Sequence, residues 1–203
     1  MDPMRARLLG RVILALLVTC ACGRFRRVDM RELEKAGMSY SHVQELRQLE
    51  TTEAEVAELE KVRQSGVSEA GCVELVHIAR GRAAESARAF TAGEAVAGLK
   101  NVGLQDNAIL ELAKLNQLGA WAFEARAIRL AGISDGVIVE LARRRAAGQP
   151  ALSGPVLTRL KNAGYNDQAI LELVRDGTSD EDAEAIVTQR QRAAGGTTFR
   201  RRR

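Results

Sequence analysis

LKNVGLQDNAILEL, Leu99–Leu112, returns as LKNAGYNDQAILEL, Leu160–Leu173. Each copy passes from an apolar residue through a glycine to a polar residue and then into a second apolar run. Searching for that order finds the same unit at Gly37, Gly66, Gly103, Gly132 and Gly164. An ungapped offset of 66 residues lays the first pair of units over the second, matching Leu33 to Leu99, Glu45 to Glu111, Arg63 to Arg129 and Ser68 to Ser134. The chain therefore carries an internal duplication, with a partial third copy at its C-terminal end.

Every position of the unit has a mechanical reason. The glycine suits the residue just past a helix end, where the backbone turns left-handed and a Cβ would clash. Four residues before it stand Leu33, Val62, Leu99, Ile128 and Leu160, and one residue after it Met38, Val67, Leu104, Ile133 and Tyr165. Those positions touch in a Schellman ending. Next come Ser39, Ser68, Gln105, Ser134 and Asn166, of which all but Gln105 are good N-caps for a new helix. Val43, Cys72, Ile109, Ile138 and Ile170 then fall where a hydrophobic staple closes. One unit is thus a helix stop, a tight corner and a helix start.

Eight residues after each glycine lies Glu45, Glu74, Glu111, Glu140 or Glu172. Arg63, Lys100, Arg129 and Lys161 precede four of the glycines by three residues, with Glu34 the exception. The expectation is an ion pair across the corner or a solvated helix face, rather than a ligand site.

Composition agrees with an all-α array of short helical hairpins: 46% of the 203 residues are hydrophobic but only 3% are aromatic, and no segment alternates with period two. Helices are expected at about 29–36, 40–50, 52–65, 69–84, 92–102, 106–117, 120–131, 135–147, 155–163, 167–175 and 180–192. The corresponding divisions are 1–19 signal peptide, 20–28 tether, 29–91 first repeat pair, 92–147 second pair, 148–155 linker, 156–192 partial third repeat and 193–203 flexible basic tail.

The net charge of +4 is unevenly placed, because residues 29–199 hold 20 Lys+Arg against 25 Asp+Glu and the basic excess lies at the two ends. At the N-terminus, Arg5, Arg7 and Arg11 precede the apolar Val12–Val18 and then Thr19-Cys20-Ala21-Cys22, the order of a secretory signal peptide and too short for a membrane span. This end resembles the lipobox of bacterial lipoproteins, with Cys20 or Cys22 as the lipidated residue. The resemblance covers about a tenth of the chain; Thr19 before Cys20 and Arg24, Arg26 and Arg27 after it depart from the usual pattern. It implies an exported protein, anchored to the bacterial envelope on its periplasmic or outer-membrane side.

The corner also resembles the first turn of ubiquitin-associated-type three-helix domains and the helix-hairpin-helix of DNA-binding proteins. In the latter, a second glycine lets backbone approach phosphate; here Ser134, Asn166 or Gln105 stands there. Neither resemblance transfers binding residues.

Catalytic signals are weak. Gly93–Gly98 has Walker-like glycine spacing, but Leu99-Lys100 follows where Lys-Ser/Thr is required. His42 and His77 lack a positioned serine, cysteine or metal-binding neighbour, and Trp121 and Phe123 read as core. Asp180, Glu181, Asp182 and Glu184 fit the first turn of a helix. Cys72 falls at a core position, and no metal site or cofactor is expected. The sequence thus points to a non-catalytic, lipid-anchored binding or scaffolding module with a protein partner. The alternative is an intracellular module that contacts nucleic acid through Arg200, Arg201, Arg202 and Arg203.

Overall fold

Five corners, each closed by the same two hydrogen bonds, set the path of the chain. A computed structural model describes residues 28–82, 88–119 and 121–198. These form eleven helices: α1 (Arg31–Lys35), α2 (Tyr40–Gln48), α3 (Glu53–Gln64), α4 (Glu69–Arg80), α5 (Gly93–Asn101), α6 (Asp106–Lys114), α7 (Trp121–Leu130), α8 (Asp135–Ala146), α9 (Gly154–Asn162), α10 (Asp167–Arg175) and α11 (Asp180–Thr198). The protein is all-helical, as its composition and period require.

At each corner the glycine takes φ between +81° and +94°. At Gly103 the amide donates to Lys100 O at 2.9 Å and the Leu104 amide to Leu99 O at 3.1 Å, the two bonds of a Schellman ending. The pair recurs at Gly37, Gly66, Gly132 and Gly164. Leu33, Val62, Leu99, Ile128 and Leu160 are all buried, as are Met38, Val67, Leu104 and Ile133. The same ending closes α2, α6, α8 and α10, where Glu50, Asn116, Gly148 and Gly177 are the left-handed residues. Two of these stops, at Glu50 and Asn116, escape a glycine search because the left-handed residue is not glycine.

Helices joined by a corner meet at the corner, but the main packing is between elements two apart: α1 on α3, α3 on α5, α5 on α7, α7 on α9, α9 on α11, and likewise α2 on α4, α4 on α6, α6 on α8, α8 on α10. The result is a solenoid of two layers, one of odd-numbered and one of even-numbered helices. The third copy continues this stack rather than standing apart behind a linker. Leu152 in the expected linker is buried, and the Ser153 amide donates to Asp180 Oδ1 at 2.9 Å.

Side-chain capping is sparser than the residue types suggest. Ser68 and Asn166 accept from the amides of Gly71 and Ala169 at 3.1 and 2.8 Å. The Ser39, Gln105 and Ser134 side chains make no cap bond. Ser39 Oγ is held instead by Ser41 Oγ at 3.1 Å and His42 Nδ1 at 2.8 Å.

The backbone amides of the corner face the next repeat. Ser39 N–H donates to Glu69 at 2.8 Å, Ser68 N–H to Asp106 at 2.9 Å and Gln105 N–H to Asp135 at 2.9 Å, so the first residues of α4, α6 and α8 each supply a carboxylate to the corner before them, whereas Asp167 of α10 pairs with Lys161. The odd layer has its own version, in which Gly93 N–H donates to Glu58 at 2.8 Å and Gly154 N–H to Glu124 at 3.2 Å.

The repeated glutamates do not pair across their own corners. Glu45 and Glu111 reach sideways to the next even helix, to His77 at 3.3 Å and Arg143 at 3.1 Å. The corner cations are committed elsewhere: Arg63 and Arg129 to backbone carbonyls, and Lys100, Lys161 and Arg129 to Asp106, Asp167 and Asp135 at 2.6, 2.7 and 3.5 Å.

At the C-terminal end, α11 carries on through Thr198, so part of the expected flexible tail is helix. Arg190 Nη2 donates to Gly164 O at 3.2 Å and its guanidinium lies 4.3 Å from the Tyr165 ring centroid. That is the task Arg63 and Arg129 perform in the earlier copies, although Ala193 stands where the next corner glycine belongs and the helix runs on. The third copy is thus more complete than its sequence suggests.

Candidate functional site

Where two copies share a scaffold, positions that differ without structural reason mark what the scaffold does not explain. The clearest lies on α7. Trp121, Ala122, Ala125 and Ile128 turn into the core, which places Phe123, Arg126, Ala127 and Leu130 on the opposite face at helical spacing. Phe123 is 72% exposed and Leu130 69%, so Phe123 is not the core residue its type suggests. Sixty-six residues earlier the same exposed face of α3 carries Ala57, Lys61 and Gln64. The apolar stripe belongs to α7 and not to the repeat.

Beside the stripe runs a groove of about 430 Å³ between α5 and α7. It exists because α5 presents Ala95 and Gly98 there, side chains too small to fill the space between adjacent odd helices, while Leu118 and Ala122 close its floor. Arg82, Arg126 and Glu94 stand at its border, and among the described residues Arg126 has no ion-pair partner. An apolar cleft with a cationic border suits an apolar segment bearing carboxylates.

Two polar clusters could be mistaken for chemistry. His42 Nδ1 lies 2.8 Å from Ser39 Oγ and 2.8 Å from Glu69 Oε2, so the serine three residues before His42 is positioned against its ring. Both contacts use one ring nitrogen, whereas a relay needs the serine on one nitrogen and the acid on the other. The Ser39 hydroxyl and amide and the His42 ring instead hold the Glu69 carboxyl down to about 2, consistent with its corner-bridging role.

The second cluster centres on Glu55, 1% exposed at the start of α3. Burial alone would raise its pKa. A bidentate bond with Arg80, at 2.6 and 2.9 Å, outweighs that, joined by the Thr52 and Phe90 amides at 2.9 and 2.8 Å, and the carboxyl falls to about 2. Arg80 Nε also donates to Leu49 O at 3.1 Å. All groups are mutually satisfied, so the cluster ties α3, α4 and residues 88–90 together. Its counterpart 66 residues on is Trp121, which explains why the duplication did not point to it.

Cys72 is fully buried, and burial pushes its thiol up to about 12, so it is a core residue rather than a nucleophile. His77 pairs with Glu45 at 3.3 Å. Gly93 and Gly98 lie in α5 itself, not in a phosphate loop. Asp180 and Asp182 bond to Ser153 and Ser179, and Glu184 pairs with Arg159. Among the described residues no group of three or more His, Cys, Asp or Glu is gathered around a common point. Cys20, Cys22 and Arg200–Arg203 lie outside the described residues, and no described helix is long and apolar enough to cross a membrane.

No protein-family model, curated protein or solved structure matches the chain.

Proposed function

We propose that this chain is a non-catalytic binding module, exported and held at the bacterial envelope by lipid on Cys20 or Cys22, that takes an apolar, carboxylate-bearing protein segment in the α5–α7 groove. The observation that carries the binding role is the exposed Phe123–Leu130 stripe beside that groove, found on one copy of the repeat and absent from the other. A scaffold residue would recur with the scaffold. Large apolar side chains exposed along one helix face are a feature of surfaces that another protein covers.

The address rests on the arginine-flanked apolar run ending in Thr-Cys-Ala-Cys. Each buried CH₂ of an acyl chain contributes about 0.8 kcal/mol, so several chains would hold the protein far more firmly than Arg24, Arg26 and Arg27 could. The negative balance of residues 29–199 weighs against nucleic acid as the main partner.

Two measurements test this reading. Labelled fatty acid should enter the wild-type protein and not the Cys20→Ser, Cys22→Ser double variant, which should leave the membrane fraction while remaining folded. A photo-crosslinking residue at position 123 should give a discrete protein adduct that is absent when the probe sits at the equivalent position 57. An unlabelled, cytoplasmic wild-type protein would refute the anchor; equal crosslinking from both positions would refute the groove.

A further inference from the structure

Inside the array every even helix has two working sides. Val76 on α4 and Ala113 on α6 occupy corresponding positions ten residues past their glycines, while Ala108 and Leu112 stand five and nine residues past Gly103. Ala108 and Leu112 are 6% and 0% exposed. Their counterparts on α10, Ala169 and Leu173, are only half-buried, whereas Val174, the counterpart of Ala113, remains 1% exposed. The side of α10 that faces α8 is covered, and the opposite side retains the residues of an internal interface with, among the described residues, no following even helix upon it.

The first repeat shows the converse. Ten residues past Gly37 stands Arg47, exposed, where the later even helices have Val76, Ala113, Ala142 and Val174. The two groups with which a repeat docks onto its predecessor are also missing there: Glu34 replaces the corner cation and Tyr40 the first-turn carboxylate. The N-terminal end of the even layer is therefore closed by polar substitution. The C-terminal end is not.

We propose that the open side of α10, formed by Ala169 and Leu173, docks an amphipathic helix of another protein that begins with an acidic residue. The apolar part follows from continuity with the α6–α8 interface, which uses the same residue types at the same spacing. The acidic start follows from the amide ladder, since Ser39, Ser68 and Gln105 each give their N–H to the first-turn carboxylate of the next even helix. Asn166 is the corresponding donor at this end, and among the described residues no carboxylate accepts from its N–H, nor from that of Ser134, whose neighbour Asp167 pairs with Lys161. The chain's own residues 1–28 fit poorly, with six arginines against the one carboxylate of Asp2. A second copy would present the first repeat, with Arg47 and Glu34 set against Leu173 and the corner.

This surface is separate from the groove and stands whether or not the groove binds. The test uses the full chain and a fluorescent peptide of residues 134–147, the stretch that covers the equivalent face of α6. Anisotropy should saturate with the wild-type protein, and Leu173→Lys should weaken binding at least tenfold without loss of helicity. Should Leu173→Lys unfold, Ala169→Arg provides the same reading from the helix edge. Absence of saturable binding, or affinity unchanged by the folded variant, overturns the proposal. Equal binding of a peptide of residues 39–50 overturns the choice of partner in favour of a second copy.

Discussion

Arg129 holds two corners at once: Nη1 donates to Ile133 O of its own corner at 3.1 Å and Nη2 to Gly103 O of the preceding one at 3.3 Å. Arg63 repeats both bonds, to Val67 O at 3.2 Å and Gly37 O at 3.4 Å. A planar fork with two terminal nitrogens can serve two carbonyls; a lysine has one nitrogen on a flexible stem. The intervening corners have Lys100 and Lys161, which keep only the pairing with the corner carboxylate that Arg129 also makes, with Asp135 at 3.5 Å. Arg129→Lys is therefore expected to destabilise the fold by about 1 kcal/mol through the lost bridge. Thermal melts should show the drop for Arg63→Lys as well, and much less for Arg190→Lys, whose helix runs on without a corner of its own to hold.

Gly103→Val should lower stability by about 1 kcal/mol or more, because a β-branched residue resists the left-handed conformation. Gly103 has φ +86°, and an added Cβ would still have ordinary room, its nearest neighbour being Arg129 Nη2 at 3.8 Å. The loss would thus come from backbone conformation and not from crowding. An unchanged melting midpoint would contradict this account.

Gly93 and Gly98, five residues apart on α5, should respond oppositely to alanine. A Cβ at Gly93 would lie 2.5 Å from Glu58 O, a backbone atom that cannot yield without moving α3. At Gly98 the nearest atoms belong to the flexible Arg126 side chain at 3.9 Å. Gly98→Ala should raise stability by roughly 0.5–1 kcal/mol from helix propensity alone, while Gly93→Ala should lower it. Denaturant midpoints of the two single variants decide the matter.

Acid should weaken the Glu55 cluster in a defined window. Its carboxyl titrates at about 2 in the folded chain against an ordinary value of 4.5. A depressed carboxylate gives stability that is present above its unfolded pKa and is lost as pH falls toward the folded one. The contribution, about 3 kcal/mol for this shift, should fade between about pH 4.5 and pH 2. Glu55→Gln should be destabilised at pH 7, since Arg80 loses its buried partner, and the gap to wild type should narrow across that window. A gap that stays constant from pH 7 to pH 2 would remove Glu55 as its source.

Removing residues 199–203 should leave the thermal melt unchanged and abolish any DNA binding seen at low salt. Four adjacent arginines attract phosphate without sequence preference, and salt screens that attraction. Binding that survives the truncation would have to arise from the helical body.

The corners and the all-helical class are legible in the sequence. A stop, a left-handed glycine, an apolar contact across the turn and a new start all lie within about ten residues, so local backbone chemistry specifies them, and repetition makes them stand out. Even the deviations are visible there, since Glu34 breaks the cation pattern at the first corner. Tertiary packing, by contrast, settles what each residue faces. Trp121 and Phe123 are two residues apart, yet one is 7% and the other 72% exposed. Leu112 and Leu173 occupy the same place in nearly identical stretches, and the stacking of α8 on α6 buries the first more fully. Glu55 and Arg80 meet across 25 residues and share no periodic signal. Burial, partner choice and groove depend on neighbours brought from the next repeat, and no local pattern encodes whether that neighbour is there.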